Sequence, residues 1–244
     1  MEIEILGSGG CITTPVPGCR CKVCVEAREK GIPYSRTGPS IFLHGPDVLI
    51  DTPEEIKEQI NRSRIQKIEA AFYSHWHPDH VAGLRVWETM NYDFRNYPAE
   101  NRVTDLYFPE QVALDFRERL GYWGHFLYLE HIKVIRIHEL KDGDTVTING
   151  TRILPFRLKE GYVYAFLFDD GVSKVLIAPD DINGWEPPEF VKNVDLAVAP
   201  MGILEKDPFT NERKINENHP VLKSEATFEE TLEIVKQINA KRTI

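Results

Sequence analysis

The sequence predicts an α/β fold, a sandwich of two mixed sheets flanked by helices. Short apolar runs alternate with segments of helical periodicity along the chain. A length of 244 residues suits one α/β domain with an ample core. Turn signals at Gly143-Asp144 and Asn149-Gly150 separate apolar runs, the Asn-Gly pair being the stronger hairpin mark.

Met1 to Leu6 alternates as an opening strand and runs into Gly7-Ser8-Gly9-Gly10. The further strands are expected at 40–44, 47–51, 70–74, 104–108, 132–137, 145–148, 151–157, 163–168, 174–178 and 195–198. Helices are expected at 22–30, 53–62, 81–89, 109–119, 187–192 and 226–239. The last has apolar Phe228, Leu232, Val235 and Ile238 at helical spacing, and Thr227 with Glu230 forms a capping box. No internal repeat, low-complexity tract or linker interrupts the pattern.

The 38 acidic residues outnumber the 29 basic ones, a net charge of -9 that argues against a protein tracking extended nucleic acid by charge. A small anionic substrate is compatible with that balance, because bound metal ions would dominate the local field. No apolar run reaches the length of a membrane span and no basic-then-apolar leader opens the chain, so the expectation is a cytoplasmic protein without a membrane partner.

Ser74-His75-Trp76-His77-Pro78-Asp79-His80 places three imidazoles and a carboxylate directly after the apolar run Ala70-Ala71-Phe72-Tyr73. Imidazole is a neutral donor for zinc, iron or manganese, and a neighbouring carboxylate compensates charge. His75 and His77 share a face if the strand continues through them, and a turn at Pro78 swings Asp79 and His80 towards a second ion. Cys19, Cys21 and Cys24 lie within one hexapeptide, with Cys11 apart. Such clustering reads as metal before disulfide: three thiolates on a tight loop make three corners of a tetrahedral zinc site, and His219 or Cys11 is the candidate fourth donor.

His-x-His-x-Asp-His after an apolar strand resembles the metallo-β-lactamase superfamily, and Pro17-Gly18-Cys19-Arg20-Cys21-Lys22-Val23-Cys24 resembles the structural zinc loop of its phosphoribosyl cyclic phosphodiesterase branch. The resemblance implies a four-layer αββα sandwich over residues 1–244 as a single domain. It implies two divalent ions, zinc or manganese with iron as a third option, and one structural zinc. It assigns His75 and His77 to one ion, Asp79 and His80 to the other, and Asp180, at the end of Val175-Leu176-Ile177-Ala178-Pro179-Asp180, as their bridge. Val48-Leu49-Ile50-Asp51 looks like the family's second strand pair ending in an acidic residue.

Two departures stand out. Relatives carry a metal-binding histidine where this chain has Leu154-Pro155-Phe156-Arg157-Leu158-Lys159-Glu160-Gly161, so Glu160 is the candidate ligand, and a carboxylate there shifts preference from zinc towards manganese or iron. Glu225 stands where many relatives show another histidine, although a glutamate at a helix start is also favoured electrostatically. The chain stops at Lys241-Arg242-Thr243-Ile244, the first residues of the strand on which relatives deliver one more histidine.

The expected activity is that of a metal-dependent hydrolase, a phosphodiesterase acting on a small or cyclic phosphodiester through a metal-bridging hydroxide. Two ions roughly 3.5 to 4 Å apart lower the pKa of a shared water towards about 7. Asp79 orients the nucleophile and Glu225 is the candidate proton donor. An oxidoreductase or cofactor-biosynthesis role on the same fold, and a metal-binding protein without hydrolase activity, are the alternatives. The aromatic stretch from Asn91 to Tyr128 and Arg36 are candidates for substrate contact, with core or subunit interface the plainer role for the aromatics. A homodimer is left open.

Overall fold

The computed structural model describes residues 1–98 and 102–244. They group into two units, residues 1–141 and 142–244, each built on one six-stranded mixed sheet with helices.

In the first unit the strands are β1 (Glu2–Gly7), β2 (Ser40–His44), β3 (Val48–Ile50), β4 (Ala70–Phe72), β5 (Thr104–Pro109) and β6 (Ile135–Leu140), in spatial order of sequence. β1, β2 and β3 pair antiparallel, whereas β3 to β6 run parallel. Parallel strands need crossovers, and these are supplied by α2 (Ile56–Arg62), by α3 (Pro78–Val81) with α4 (Val86–Asn91), and by α5 (Glu110–Asp115) with α6 (Trp123–His131). The uninterrupted apolar triplets of β3 and β4 are buried throughout, as strands covered on both faces must be. Phe42, Leu49, Phe72, Phe108, Phe116 and Phe126 are wholly buried, each worth roughly 1.5 to 3 kcal/mol of transfer free energy. Buried Tyr73 receives hydrogen bonds from Trp87 Nε1 (2.8 Å) and Thr52 Oγ1 (3.2 Å), which satisfies its phenol. Ahead of β2, helix α1 (Lys22–Lys30) has Cys21 as its N-cap and carries Cys24 in its first turn.

The second unit contains β7 (Val146–Ile148), β8 (Thr151–Arg157), β9 (Tyr164–Asp169), β10 (Lys174–Ile177), β11 (Leu196–Val198) and β12 (Arg242–Thr243). β7 to β10 form an antiparallel meander, and β10, β11 and β12 are parallel. The β7–β8 hairpin turns at Asn149 and Gly150, both at positive φ as an Asn-Gly hairpin requires. Helix α7 (Val221–Ser224) precedes α8 (Phe228–Ile238), whose capping box between Thr227 and Glu230 is formed. The buried face of α8 is Thr231, Ile234 and Ile238, while Leu232 is 40% exposed. Positions i, i+3 and i+7 face the core, so Leu232, one residue beyond Thr231, is turned outward.

Four expected elements differ, the helix expected at 187–192 being only the 3-10 turn Glu189–Val191. The helix expected at 81–89 is two short helices, because Gly83 breaks the run with its N–H on Thr52 O (2.8 Å). That at 109–119 passes from α5 into a π-helical turn, Phe116–Leu120. The strand expected at 132–137 starts at Ile135, because α6 runs to His131 and Lys133 turns back at φ 61°.

Candidate metal centre

β4 delivers the motif. After Phe72 the chain leaves the strand and reaches His77, the extended N-cap of α3, and Pro78 opens that helix at the position where its missing N–H costs nothing. The strand pairing ends at Phe72, yet the His75 and His77 rings remain 4.6 Å apart and His75 and His80 4.2 Å apart. Where a turn is expected at Pro78 the helix α3 begins, and it places a donor atom of His80 within 4.8 Å of one of His75. His75 and His80 are buried, and His77 and Asp79 are partly exposed.

The orientation of His80 is fixed at Nδ1. Its Nδ1 lies 2.7 Å from Asp51 Oδ2, and its Nε2 lies 3.6 Å from Asp79 Oδ2. With the proton held on Nδ1 by the carboxylate, Nε2 presents its lone pair towards Asp79. Two donors bonded to one ion at about 2.1 Å cannot be more than about 4.2 Å apart, a condition that the Nε2 and Asp79 pair meets.

Asp51 is the residue whose role the sequence did not disclose. Besides His80 it accepts from Ser74 N (2.8 Å) and Ser74 Oγ (2.6 Å), and Ser74 Oγ is 3.0 Å from His75 Nδ1. One buried carboxylate thus organises both buried imidazoles. Asp51 adopts φ 60°, a left-handed conformation uncommon outside glycine and asparagine-like residues. The parallel pairing of Ile50 with Phe72 sets the exit of β3 beside that of β4.

Within the second unit, Asp180 follows β10 in Ala178-Pro179-Asp180. Burial pushes the Tyr162 phenol up, and Glu160, Asp180, Glu225 and Asp181 all add to that rise. Burial likewise raises the Asp181 carboxyl, with Asp180 and Glu160 contributing repulsion. Asp181 Oδ1 accepts from Asn183 N (2.9 Å) and Ala226 N (3.0 Å), which ties the loop after β10 to the residue following Glu225. Glu160, Asp180 and Glu225 thus each add negative potential at the Tyr162 phenol.

The sulfurs of Cys19, Cys21 and Cys24 lie within 4.8 Å of one another, and these three are free thiols. The Cys24 amide and the Cys19 thiol hold Cys21 down at about 7. At Cys24 the Val16 amide acts to lower the thiol, and burial with the two neighbouring thiols outweighs it. The loop is clamped by Arg28, which donates to Cys19 O (2.6 Å), Cys24 O (3.3 Å) and Val16 O (2.8 Å). Three converging sulfurs, one about half ionised near neutrality, suit zinc. His219, in an exposed turn of the second unit, accepts from Val221 N through Nδ1 (3.2 Å).

Of the aromatic stretch, Phe126 is core, whereas Phe94 is 96% exposed and stacks on Tyr92. Residues 99–101 of that stretch lie outside the described residues. His125 pairs with Glu88 (2.5 Å), and Arg36 is exposed with its backbone bridged to Thr14. A cavity of about 580 Å³ beside α8, lined by Trp185, Glu186 and Glu233 among others, holds none of the expected ligands. No helix among the described residues is long and apolar enough to cross a membrane.

The sequence model of a family described as "Beta-lactamase superfamily domain" matches residues 45–244. An octanoyltransferase of Porphyromonas gingivalis is 24% identical over 245 aligned residues, covering 100% of this chain and 45% of that protein. A ribonuclease Z of Archaeoglobus fulgidus is 30% identical over 149 residues, covering 57% of this chain and 45% of that protein. The chain thus spans 45% of the length of each of these two relatives. Among solved structures, a diphosphatase of the PhnP family superposes with a TM-score of 0.70 at 24% identity, covering 99% of this chain and 84% of that one. That likeness is one of fold.

Proposed function

The chain belongs to the beta-lactamase superfamily, and from that premise we propose that it is a metal-dependent hydrolase of small or cyclic phosphodiesters. The observation that carries the reading is His80, pinned at Nδ1 by Asp51 and aimed at Nε2 towards Asp79. A buried imidazole oriented in this way is prepared as a donor rather than as packing. Support for phosphoester chemistry comes from two of the similar proteins, a diphosphatase and a ribonuclease, whose names both denote cleavage at phosphorus.

In this reading His75 and His77 would hold one divalent ion and Asp79 and His80 a second, with Asp180 and Glu160 as carboxylate donors to the pair. The ions, when bound, supply charge neutralisation for the phosphate and activation of a water. Asp79 would orient the attacking water. Glu225 delivers a proton to the leaving oxygen. Glu160, a hard donor, favours manganese or iron over zinc at its position. The Cys19, Cys21 and Cys24 loop holds a separate structural zinc, with His219 as the fourth donor. These three free thiols agree with a reducing compartment, and the cytoplasm is the location proposed.

The test is turnover of bis(p-nitrophenyl)phosphate by protein reconstituted with zinc, manganese or iron. Activity is expected to depend on the added ion and to fall on the order of a hundredfold or more in His77→Ala. Turnover that survives this substitution unchanged excludes the proposed site. Oxygen consumption by the iron form, without phosphodiester turnover, would favour the oxidoreductase alternative.

A further inference from the structure

The residue between the two motif histidines is part of a separate arrangement. The Trp76 ring lies edge-on to His77, with centroids 4.8 Å apart, and the guanidinium carbon of Arg119 sits 4.9 Å from the Trp76 ring centroid. The guanidinium can therefore be no farther from the His77 ring than those two distances laid end to end. Arg119 is carried on the π-helical turn Phe116–Leu120, a distortion frequently found at functional sites. Its Nε donates to Asp115 Oδ1 at 2.9 Å. Asp115 is buried, and its other oxygen, Oδ2, has no hydrogen-bond partner among the described residues.

A buried carboxylate with one contact holds its cation firmly, because releasing Arg119 would strand a charge out of water. The fork is thus fixed in direction. Only Nε is engaged by Asp115, and the Arg119 side chain is 53% exposed, so the Nη1 and Nη2 edge is presented to solvent. A planar guanidinium fixed from behind, with both NH2 groups available and an indole under its face, matches the requirements for bidentate recognition of a phosphate. The neighbouring Arg117 is used differently: it stacks on Trp123 and pairs with Glu139.

We propose that Arg119, backed by Asp115 and laid over Trp76 beside His77, is a specificity-determining residue that grips a non-reacting oxygen of the substrate's phosphate group. This rests on the phosphodiesterase reading for its catalytic consequence, though not for phosphate binding itself. Asp115 is then a positioning residue, acting through Arg119.

The experiment uses metal-reconstituted full-length protein and two readouts: steady-state kinetics on bis(p-nitrophenyl)phosphate, and the Kd of inorganic phosphate by titration calorimetry. Arg119→Gln is expected to raise both KM and the phosphate Kd about tenfold or more, with kcat and metal content changed little. Arg119→Lys should recover only part of the loss, since an ammonium keeps the charge and not the fork. Asp115→Asn should weaken phosphate binding in the wild-type background and add nothing to Arg119→Gln. An Arg119→Gln protein with wild-type KM and phosphate Kd overturns the proposal and leaves the phosphodiesterase reading intact. Phosphate binding that depends on Arg119 in a protein that turns over no phosphodiester supports the proposal and removes the catalytic reading. A wild-type protein that binds no phosphate overturns the proposal.

Discussion

His80 Nδ1 and Asp51 Oδ2 are 2.7 Å apart, and both side chains are 1% exposed. A carboxylate so placed fixes the tautomer and rotation of a metal-binding ring and raises its basicity. Asp51→Asn is expected to lower the affinity of the motif for divalent ions by about 10- to 100-fold. The amide can still accept one Ser74 hydrogen bond, so the fold should survive the change. Competition with a chromogenic chelator measures the affinity. An unaltered value would show that Asp51 only fills space.

How far this site was legible depended on which residues carried their chemistry in their type. His75, His77, Asp79 and His80 are ligand types crowded into six positions, and spacing alone marks them. Asp51 is 24 residues earlier than His75 and is one acidic residue among 38. Its role follows from β3 pairing parallel to β4 in the register Ile50 to Phe72, which a single sequence does not specify. The strands β2, β8 and β9 were legible within about a residue because apolar runs are bounded by turn residues there. Helix α6 was missed because Trp123-Gly124-His125-Phe126-Leu127-Tyr128-Leu129-Glu130-His131 is apolar almost all round, with a glycine inside and no side-chain cap, so it shows no face. Overlooking it displaced the next strand, because residues 132–134 form the turn that follows the helix.

Gly83 is fixed by close approach. A Cβ there would stand 2.2 Å from Pro53 O and 2.5 Å from Ile56 Cγ2. Gly83→Ala must push the segment after α3 away from the exit of β3, which carries Asp51 and Thr52. Overpacking of this kind costs about 1–3 kcal/mol. Urea unfolding should show that loss of stability together with weakened metal binding. Stability lost with metal affinity intact would mean that the two segments move independently.

Arg28 holds three carbonyls of the cysteine loop. Arg28→Ala should leave the thiols chemically present but poorly converged, and weaken zinc at that loop on the order of tenfold. Because Cys21 titrates at about 7, zinc affinity should rise as pH increases through that value, the metal displacing fewer protons at each step. The proton release on zinc binding, followed with a pH indicator, checks this. A release independent of pH between about 6 and 8 would contradict the assignment of Cys21 as a ligand.

Asp105, on β5, accepts from Arg136 through Nε (2.6 Å) and Nη2 (2.7 Å) and lies 2.7 Å from His138 Nε2. Burial alone would raise this carboxyl, but the hydrogen bonds and charges of Arg136 and His138 outweigh it and hold it below the ordinary 3.8. A carboxylate depressed in the folded state contributes stability that is fully present above the unfolded value and disappears as pH falls through the folded one. Wild-type protein should therefore lose part of its stability below about pH 4, whereas Asp105→Asn should lack that component. The Arg136 side chain is 60% exposed, so screening limits the pair to about 1 kcal/mol at neutral pH, and less at high salt. Chemical unfolding of the two proteins between about pH 2.5 and 7 should show curves separated at neutral pH that converge on acidification. A separation that stayed constant across that range would assign the effect of the substitution to packing instead of charge.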